Sequence, residues 1–303
     1  MDKGSEIIFI NTKIKDEYGT IYLFGRLEDG RSICAKTKTF NHYFYAYMNE
    51  LDEDELNNQI HEASRQAEES KVYIKNVEIV YKTSIMGYQP NGPVKMFKIY
   101  TNYVSIARKI IEQKNFLTYE ASIQMVIRFM VDKQFGGFHW LKLAHHYGAS
   151  TRESRCNVEV EFNDEDLSCL PDRMDFAPVV WMAFDIEACK GGNGRGFVNA
   201  KEDSVSQIGI TLFTSDYKVL DKRCLSLVPK GKSVANIGIP VDKFEDEKEM
   251  FIAFRNYINK HDVDVITGYN VKGFDIKYLF DRENDEEFLD MGKLVDRKAY
   301  IKK

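Results

Sequence analysis

One apolar run that ends in two carboxylates constrains the fold of this chain more than any other feature. Residues 179–184 read Val-Val-Trp-Met-Ala-Phe and predict a buried strand, because the run is short, β-branched and aromatic. Asp185 and Glu187 follow directly, and side chains two apart on a strand face the same side. Two carboxylates so close repel each other unless one is protonated or a cation lies between them. The pattern favours a divalent cation, since Mg²⁺ prefers oxygen ligands.

A second acidic motif follows another predicted strand, at residues 263–269. It runs from Asn270 to Asp275 and opens a predicted helix over residues 273–282. On that helix Asp275 shares a face with Tyr278, Leu279 and Arg282. A carboxylate on a partly apolar face is costly unless a charged group meets it.

Each motif alone has a plainer explanation. Asp185 and Glu187 fit a solvated turn at the end of a strand, and Asp275 fits an ion pair with Arg282 or another basic side chain. Asn270 fits a helix cap. The two motifs together, in this order and on these elements, favour a shared metal site.

The two motifs also resemble those of a known family. Phe184-Asp185-Ile186-Glu187 resembles the first proofreading-exonuclease motif of family B DNA polymerases of the eukaryotic delta type and of large DNA viruses. Gly268-Tyr269-Asn270, followed by Phe274-Asp275 and Tyr278-Leu279, resembles the second. Segments upstream resemble the amino-terminal domain of that family: His42-Tyr43-Phe44-Tyr45, Gly87-Tyr88-Gln89, and Thr118-Tyr119-Glu120 leading to Arg128-Phe129-Met130. The resemblance extends over nearly the whole chain.

The resemblance implies 3′→5′ hydrolysis of mispaired DNA ends with two divalent ions, Mg²⁺ or Mn²⁺. It implies that Asp185 bridges both ions, that Glu187 holds the ion that binds the attacking water, and that Asp275 supports the second ion. The implied DNA-positioning residues are Asn270, Phe274 and Tyr278. The implied partners are a single-stranded 3′ end, the primer-template, the rest of a polymerase chain and a sliding clamp or other processivity factor.

Two parts of such a polymerase have no counterpart in this sequence. The third exonuclease motif is a Tyr-x-x-x-Asp on a later helix, and no candidate for it follows Asp275. The Asp-Thr-Asp and Ser-Leu-Tyr-Pro-Ser signatures of the polymerase palm are absent from the 303 residues. We therefore expect an amino-terminal fragment of a DNA-directed DNA polymerase that is inactive or weakly active alone. Two alternatives stay open: a non-catalytic DNA-binding or scaffolding fragment with an inactive nuclease fold, and an unrelated ribonuclease H-like exonuclease that acts on RNA.

The chain length of 303 residues predicts two compact units, and the polar stretch around Pro171 is the best boundary. We expect an α/β (α+β) protein. Residues 1–172 would form a mixed β/α amino-terminal domain, with an oligonucleotide-binding-like β-barrel and helices as the resemblance implies. The pattern predicts a β-hairpin at the Glu28-Asp29-Gly30 turn and a helical segment at 51–70. Residues 173–303 would form a ribonuclease H-like exonuclease domain that is incomplete at its C-terminal end. Its predicted elements are strands at 179–188, 205–213, 222–229 and 263–269 and helices at 247–261 and 273–282. The pattern also predicts a helix over residues 119–134 that buries Ile123, Val126, Ile127, Met130 and Val131.

Composition limits the remaining possibilities. The formal charge of −5 argues against a broadly basic nucleic-acid-binding surface, so any DNA contact is local. Five cysteines without a C-x-x-C pair fit reduced thiols. No run is long enough for a membrane span, and the start lacks a secretory h-region. We expect an intracellular protein without a membrane partner, at the nucleus or a viral replication site.

Two further features have both a structural and a functional interpretation. The glycine-rich run at residues 191–196 is predicted to be a hairpin connection, because a phosphate-binding loop needs a helix immediately after its glycines. Tyr43, Tyr45 and Tyr47 alternate onto one face of a predicted strand. Core packing accounts for most of that pattern, and base stacking is the alternative.

Overall fold

The computed structural model describes residues 4–47, 58–59, 61–63, 65, 68, 72–84, 92–191, 196–283 and 285–301. Most of the predicted helical segment at 51–70, and the Gly87-Tyr88-Gln89 segment, lie outside them.

In chain order the strands are β1 (Ile7–Glu17), β2 (Thr20–Leu27), β3 (Ser32–Thr37), β4 (His42–Tyr47), β5 (Ile74–Lys82), β6 (Val94–Thr101), β7 (Leu117–Tyr119), β8 (Trp140–Leu143), β9 (Tyr147–Gly148), β10 (Val158–Glu161), β11 (Leu167–Cys169), β12 (Val180–Cys189), β13 (Ser204–Thr214), β14 (Val219–Leu227), β15 (Val241–Phe244) and β16 (Val265–Thr267). The helices are α1 (Val104–Glu112), α2 (Met125–Asp132), α3 (Glu247–Lys260), α4 (Asp275–Arg282) and α5 (Glu286–Leu289), with a 3₁₀ turn at Asp164–Asp166. None of these helices is long and apolar enough to cross a membrane.

The first sheet has seven strands in the order β11-β8-β1-β2-β3-β10-β9. Its β2–β3 hairpin turns at Gly30, whose φ of +85° is the left-handed conformation that glycine adopts without a steric penalty. The hairpin that the Glu28-Asp29-Gly30 turn predicts is therefore confirmed. A second sheet has four strands in the order β5-β6-β4-β7. Tyr43 and Tyr45 of β4 are buried, as core packing requires.

The third sheet has five strands in the order β15-β14-β13-β12-β16. Strands β12, β13 and β14 are consecutive antiparallel neighbours, whereas β16 lies parallel to β12 after the long helix α3. Helix α3 begins where the Asp246 side chain accepts the N–H of Glu249 at 3.0 Å, which satisfies one free donor of its first turn. Its Met250, Phe251 and Phe254 are buried against the sheet. This mixed α/β layer matches the expected fold class.

One helix prediction is wrong. Residues 119–134 do not form a single helix: β7 ends at Tyr119, and only Met125–Asp132 is helical. Glu120 adopts a φ of +56°, which a continuous helix cannot accommodate. The buried face differs as well, because Ile127 and Val131 are exposed while Arg128 and Phe129 are buried.

The first and third sheets are joined by a buried ionic network. Arg26 of β2 donates to Asp264 Oδ2 at 2.5 Å and to the Asp262 carbonyl. Lys293 lies 2.9 Å from the other oxygen of Asp264, and Asp264 Oδ2 also accepts the N–H of Val180 at 2.9 Å. Because Val180 begins β12 and Asp264 precedes β16, the network fixes both strands at their starts.

Candidate active site

Strand β12 presents Asp185 and Glu187 on one face, as the alternation predicts. Phe184 and Ile186 are buried in the core beneath α3 and α4, while Asp185 and Glu187 are exposed. A one-residue shift in the pairing with β13 would turn both carboxylates into that apolar core. The register that pairs Asp185 with Gly209 therefore keeps both carboxylates on the exposed face of β12.

The second motif reaches β12 because the chain passes very close to it after β16. Strand β16 ends at Thr267, opposite Ala183. The next residue, Gly268, has a φ of +153°, and a Cβ there would lie 2.5 Å from the Phe184 carbonyl oxygen. Only glycine permits this approach. It allows the segment after β16 to continue alongside Asp185.

Asn270 forms the turn that leads into α4. It adopts a φ of +50°, and its carbonyl accepts the N–H groups of Gly273 (2.9 Å) and Phe274 (3.0 Å). Helix α4 begins at Asp275, two residues later than predicted, and its N-cap residue Phe274 makes no side-chain cap. The helix-cap alternative for the Asn270 side chain is therefore not what the structure shows.

Asp275 takes the position that a strand partner of β12 would occupy. Its side chain is among the most buried polar groups, with the residue 2% exposed, and Oδ1 accepts the N–H of Ile186 at 3.0 Å. Burial raises the pKa of Asp275, and the charge of Asp185 and a hydrogen bond with it act in the same direction. The Ile186 hydrogen bond opposes the increase. The carboxylates of the two motifs thus lie together, although they are 90 residues apart in sequence.

The ion pair of Asp275 with Arg282 does not form. Arg282 instead pairs with Glu247 at 2.7 Å and donates to the Ala200 carbonyl at 2.9 Å. Among the residues that the structure describes, no Lys, Arg or His forms an ion pair with Asp275, so the plainer explanation is not supported there.

The donor set fits a divalent ion better than any other charged ligand. Asp185 and Asp275 interact directly, and Glu187 follows on the same face of β12. Carboxylate oxygens are hard donors of the kind that Mg²⁺ and Mn²⁺ bind. Across the described part of the chain, no three His, Cys, Asp or Glu side chains are already gathered tightly enough to hold a metal ion. The interaction of Asp185 with Asp275 is thus the electrostatic contact that joins the two motifs.

The predicted DNA-positioning aromatics have different surroundings. Phe274 is half-buried and its ring centroid lies 5.5 Å from that of Phe197, which is 79% exposed. Tyr278 is buried, and its hydroxyl donates to the Asp203 carbonyl at 2.8 Å. Tyr278 therefore anchors the β12–β13 connection, whereas Phe274 and Phe197 reach the surface.

Sequence reasoning missed Phe197. The only sequence signal was a large apolar residue directly after a glycine-rich, polar run. The described residues of that run, Gly191 and Gly196, belong to the connection between two strands, as the hairpin prediction states.

Comparisons with known proteins agree with this geometry. Residues 116–302 match the model of the family described as DNA polymerase family B, exonuclease domain. The chain is 32% identical, over 93% of its length, to the DNA polymerase delta catalytic subunit of Arabidopsis thaliana. It is 27% identical, over 87% of its length, to the DNA polymerase catalytic subunit of Elephantid herpesvirus 1.

The chain spans 28% of the Arabidopsis relative and 26% of the viral one. Among solved structures, it is similar to the family B DNA polymerase of the hyperthermophilic archaeon Pyrobaculum calidifontis, with a TM-score of 0.64 and 20% identity. That similarity covers 91% of this chain and 32% of the archaeal one. At this identity it shows the shared fold.

Proposed function

Because this chain belongs to the family B DNA polymerases through their exonuclease domain, we propose that it carries the proofreading site that hydrolyses 3′-terminal phosphodiester bonds of DNA. The observation that supports this most is the contact between the two acidic motifs. Asp275 is held on the Ile186 amide at 3.0 Å and lies against Asp185. Two carboxylates held this close repel each other, so their proximity is unfavourable unless a cation binds between them.

We assign Asp185, Glu187 and Asp275 as metal ligands and catalytic residues, with Mg²⁺ or Mn²⁺ as the ions. Two such ions supply a nucleophile at neutral pH and stabilise the charge of an in-line displacement. Asp275 must give up its proton to act as a ligand, so its raised pKa makes metal binding weaker at acidic pH. Its Oδ1 is committed to Ile186, which leaves Oδ2 for the ion.

The DNA end would bind beside these carboxylates. Phe274, with Phe197 against it, offers an aromatic surface next to Asp275, and base–aromatic stacking tolerates any sequence. Asn270 shapes the turn that presents Phe274. Tyr278 would contribute indirectly, because its hydroxyl holds the β12–β13 connection by donating to the Asp203 carbonyl. A frayed single strand fits best, because it reaches the carboxylates without the cost of unpairing.

The lengths of the relatives support a larger polymerase as the setting of this site. They are DNA polymerase catalytic subunits several times longer than this chain. We propose that the site serves a DNA-directed DNA polymerase during replication, with primer-template DNA and a processivity factor as partners. In this proposal residues 1–172 are the amino-terminal domain, residues 173–303 are the exonuclease domain, and the protein acts wherever that DNA is replicated, in the nucleus or at a viral replication site.

A single-turnover nuclease assay tests the proposal. The chain, in excess over a 5′-labelled single-stranded oligonucleotide, is incubated with Mn²⁺ so that slow cleavage is measurable. We expect products shortened from the 3′ end, lost in Asp185→Ala and Asp275→Ala and retained in Asp172→Ala, which removes an exposed carboxylate elsewhere. Shortening that survives Asp185→Ala contradicts the site. Mn²⁺ binding without any cleavage favours the non-catalytic alternative.

A further inference from the structure

Asp203 closes the connection between β12 and β13 with an almost fully buried carboxylate. The residue is 2% exposed. Its Oδ1 accepts the N–H of Gly191 at 2.8 Å, its Oδ2 accepts the N–H of Asn199 at 2.7 Å, and Lys190 Nζ lies 3.1 Å from Oδ2. These bonds, the Gly191 amide first, lower the pKa of Asp203 to about 2. The carboxylate therefore stays charged and keeps both sides of the connection together.

The same bonds reach the exposed ring of Phe197. Lys190 Nζ also donates to the Phe197 carbonyl at 2.8 Å, so one ammonium group joins the Phe197 backbone to Asp203. The Phe197 ring then meets Phe274 edge to face at 5.5 Å. Phe274 directly precedes Asp275, which places the ring pair beside the carboxylates.

Helix α4 supports the connection from the core side. The Tyr278 hydroxyl donates to the Asp203 carbonyl at 2.8 Å, and Arg282 donates to the Ala200 carbonyl at 2.9 Å. Because α4 begins at Asp275, one helix fixes both the metal-binding carboxylate and the base of the connection. Phe197 and Asp275 are therefore held relative to the same element.

We propose that Asp203 is a positioning residue of the exonuclease site, which holds Phe197 against Phe274 so that the exposed ring faces the terminal nucleotide. This inference rests on the proposed function. Asp203 itself lies too deep to touch DNA and acts through Lys190 and Phe197. A purely structural Asp203 would stabilise the fold without any link to the Phe197 ring.

A double-mutant cycle on DNA binding separates these two roles. The Kd of the full chain for a fluorescent single-stranded oligonucleotide is measured by anisotropy, with Ca²⁺ in place of Mg²⁺, for Asp203→Asn, Phe197→Ala and the double variant. Phe197→Ala should weaken binding about tenfold, since one stacked base contributes about that factor or more. In Asp203→Asn the new NH₂ group would face an N–H donor or the Lys190 ammonium, so at least one hydrogen bond of the connection would be lost. We expect this change to weaken DNA binding about three- to tenfold, because Phe197 would no longer be held in place. The double variant should bind no more weakly than Phe197→Ala, since both changes remove one interaction.

Independent losses that multiply in the double variant would overturn the inference, as would an unchanged Kd for Asp203→Asn. Lys190→Met is a second variant in case Asp203→Asn does not fold. It removes the hydrogen bond to the Phe197 carbonyl and leaves both backbone hydrogen bonds of Asp203 in place. We expect it to reproduce the loss of Asp203→Asn, and wild-type affinity in Lys190→Met would overturn the positioning role. A wild-type chain that does not bind single-stranded DNA overturns the proposed function as well. If Phe197→Ala weakens DNA binding while Asp203→Asn and Lys190→Met do not, the proposed function stands and only the role of Asp203 is overturned.

Discussion

Replacing Asp185 with asparagine should stabilise the metal-free protein. The change keeps the side-chain shape and removes one of two like charges that interact at the end of β12. Two unit charges about 4 Å apart repel each other by about 1 kcal/mol at the dielectric constant of water and about 4 kcal/mol at an effective value of 20. Asp185 is exposed, so we expect a gain of about 1 kcal/mol in the free energy of unfolding.

That gain converts into a measurable shift in Tm. The entropy of unfolding is about 2.1 cal/mol/K per residue, which gives about 0.6 kcal/mol/K for 303 residues. Asp185→Asn should therefore raise the Tm in EDTA by about 1.5 °C. Mn²⁺ at 100 times its Kd stabilises the wild-type chain by about 2.7 kcal/mol, or about 4 °C, and should stabilise the variant much less.

The assay is calorimetry with and without Mn²⁺, and Asp172→Asn is the matched control. That change removes the same charge from an exposed position, so it should leave both the metal-free Tm and the metal response unchanged. A lower metal-free Tm for Asp185→Asn, with the full Mn²⁺ response, would refute the reasoning. Asp185 would then be a structural hydrogen-bonding residue.

Three further predictions concern the surroundings of the site. Since the pKa of Asp275 is raised above 3.8, the folded state binds more protons than the unfolded state as pH rises from that value through the raised pKa. Metal-free stability should therefore fall across that window in urea titrations, and Asp275→Asn should abolish the fall. In Arg26→Met, Asp264 keeps Lys293 and the Val180 amide as partners but loses the guanidinium. This change should lower the free energy of unfolding by about 3 kcal/mol, or the Tm by about 5 °C. Arg31→Met, at an exposed ion pair, should have little effect. Gly268→Ala should lower both the Tm and the stabilisation by Mn²⁺, because the new Cβ would clash with the Phe184 carbonyl. The control is Gly231→Ala, which has open space around it. It should lower the free energy of unfolding by about 1–2 kcal/mol, the cost of a left-handed backbone for a residue with a side chain.

The local sequence pattern predicted four of the five strands of the third sheet and missed the short edge strand β15 (Val241–Phe244). The strand expected at 179–188 is β12 at Val180–Cys189, and the helix expected at 247–261 is α3 at Glu247–Lys260. Both carry a strong local pattern. In β12 it is a short β-branched and aromatic run whose end alternates between apolar and acidic residues, and in α3 it is a buried apolar stripe. The exposed positions of Asp185 and Glu187 follow from that alternation alone.

The contacts that bring the two motifs together could not be predicted locally. The bond from Asp275 to Ile186 joins residues 89 apart, and it depends on β16 ending early enough to leave that amide free. The partner of Arg282 is Glu247 on another helix, which the spacing on α4 could not reveal. The helix expected at 119–134 failed for a related reason, because Arg128 is buried over the Tyr43 ring of β4 and pairs with Glu120, whose φ is positive.

The network around Arg26 has a consequence for how the chain is made. Arg26 and its carboxylate partner Asp264 are 238 residues apart. A ribosome that adds about 5–20 residues per second needs roughly 12–48 s to cover that separation. During this interval strand β2 carries a guanidinium whose carboxylate partner has not yet been made. Strand β2 therefore reaches its final packing only after residues that are synthesised much later have been added.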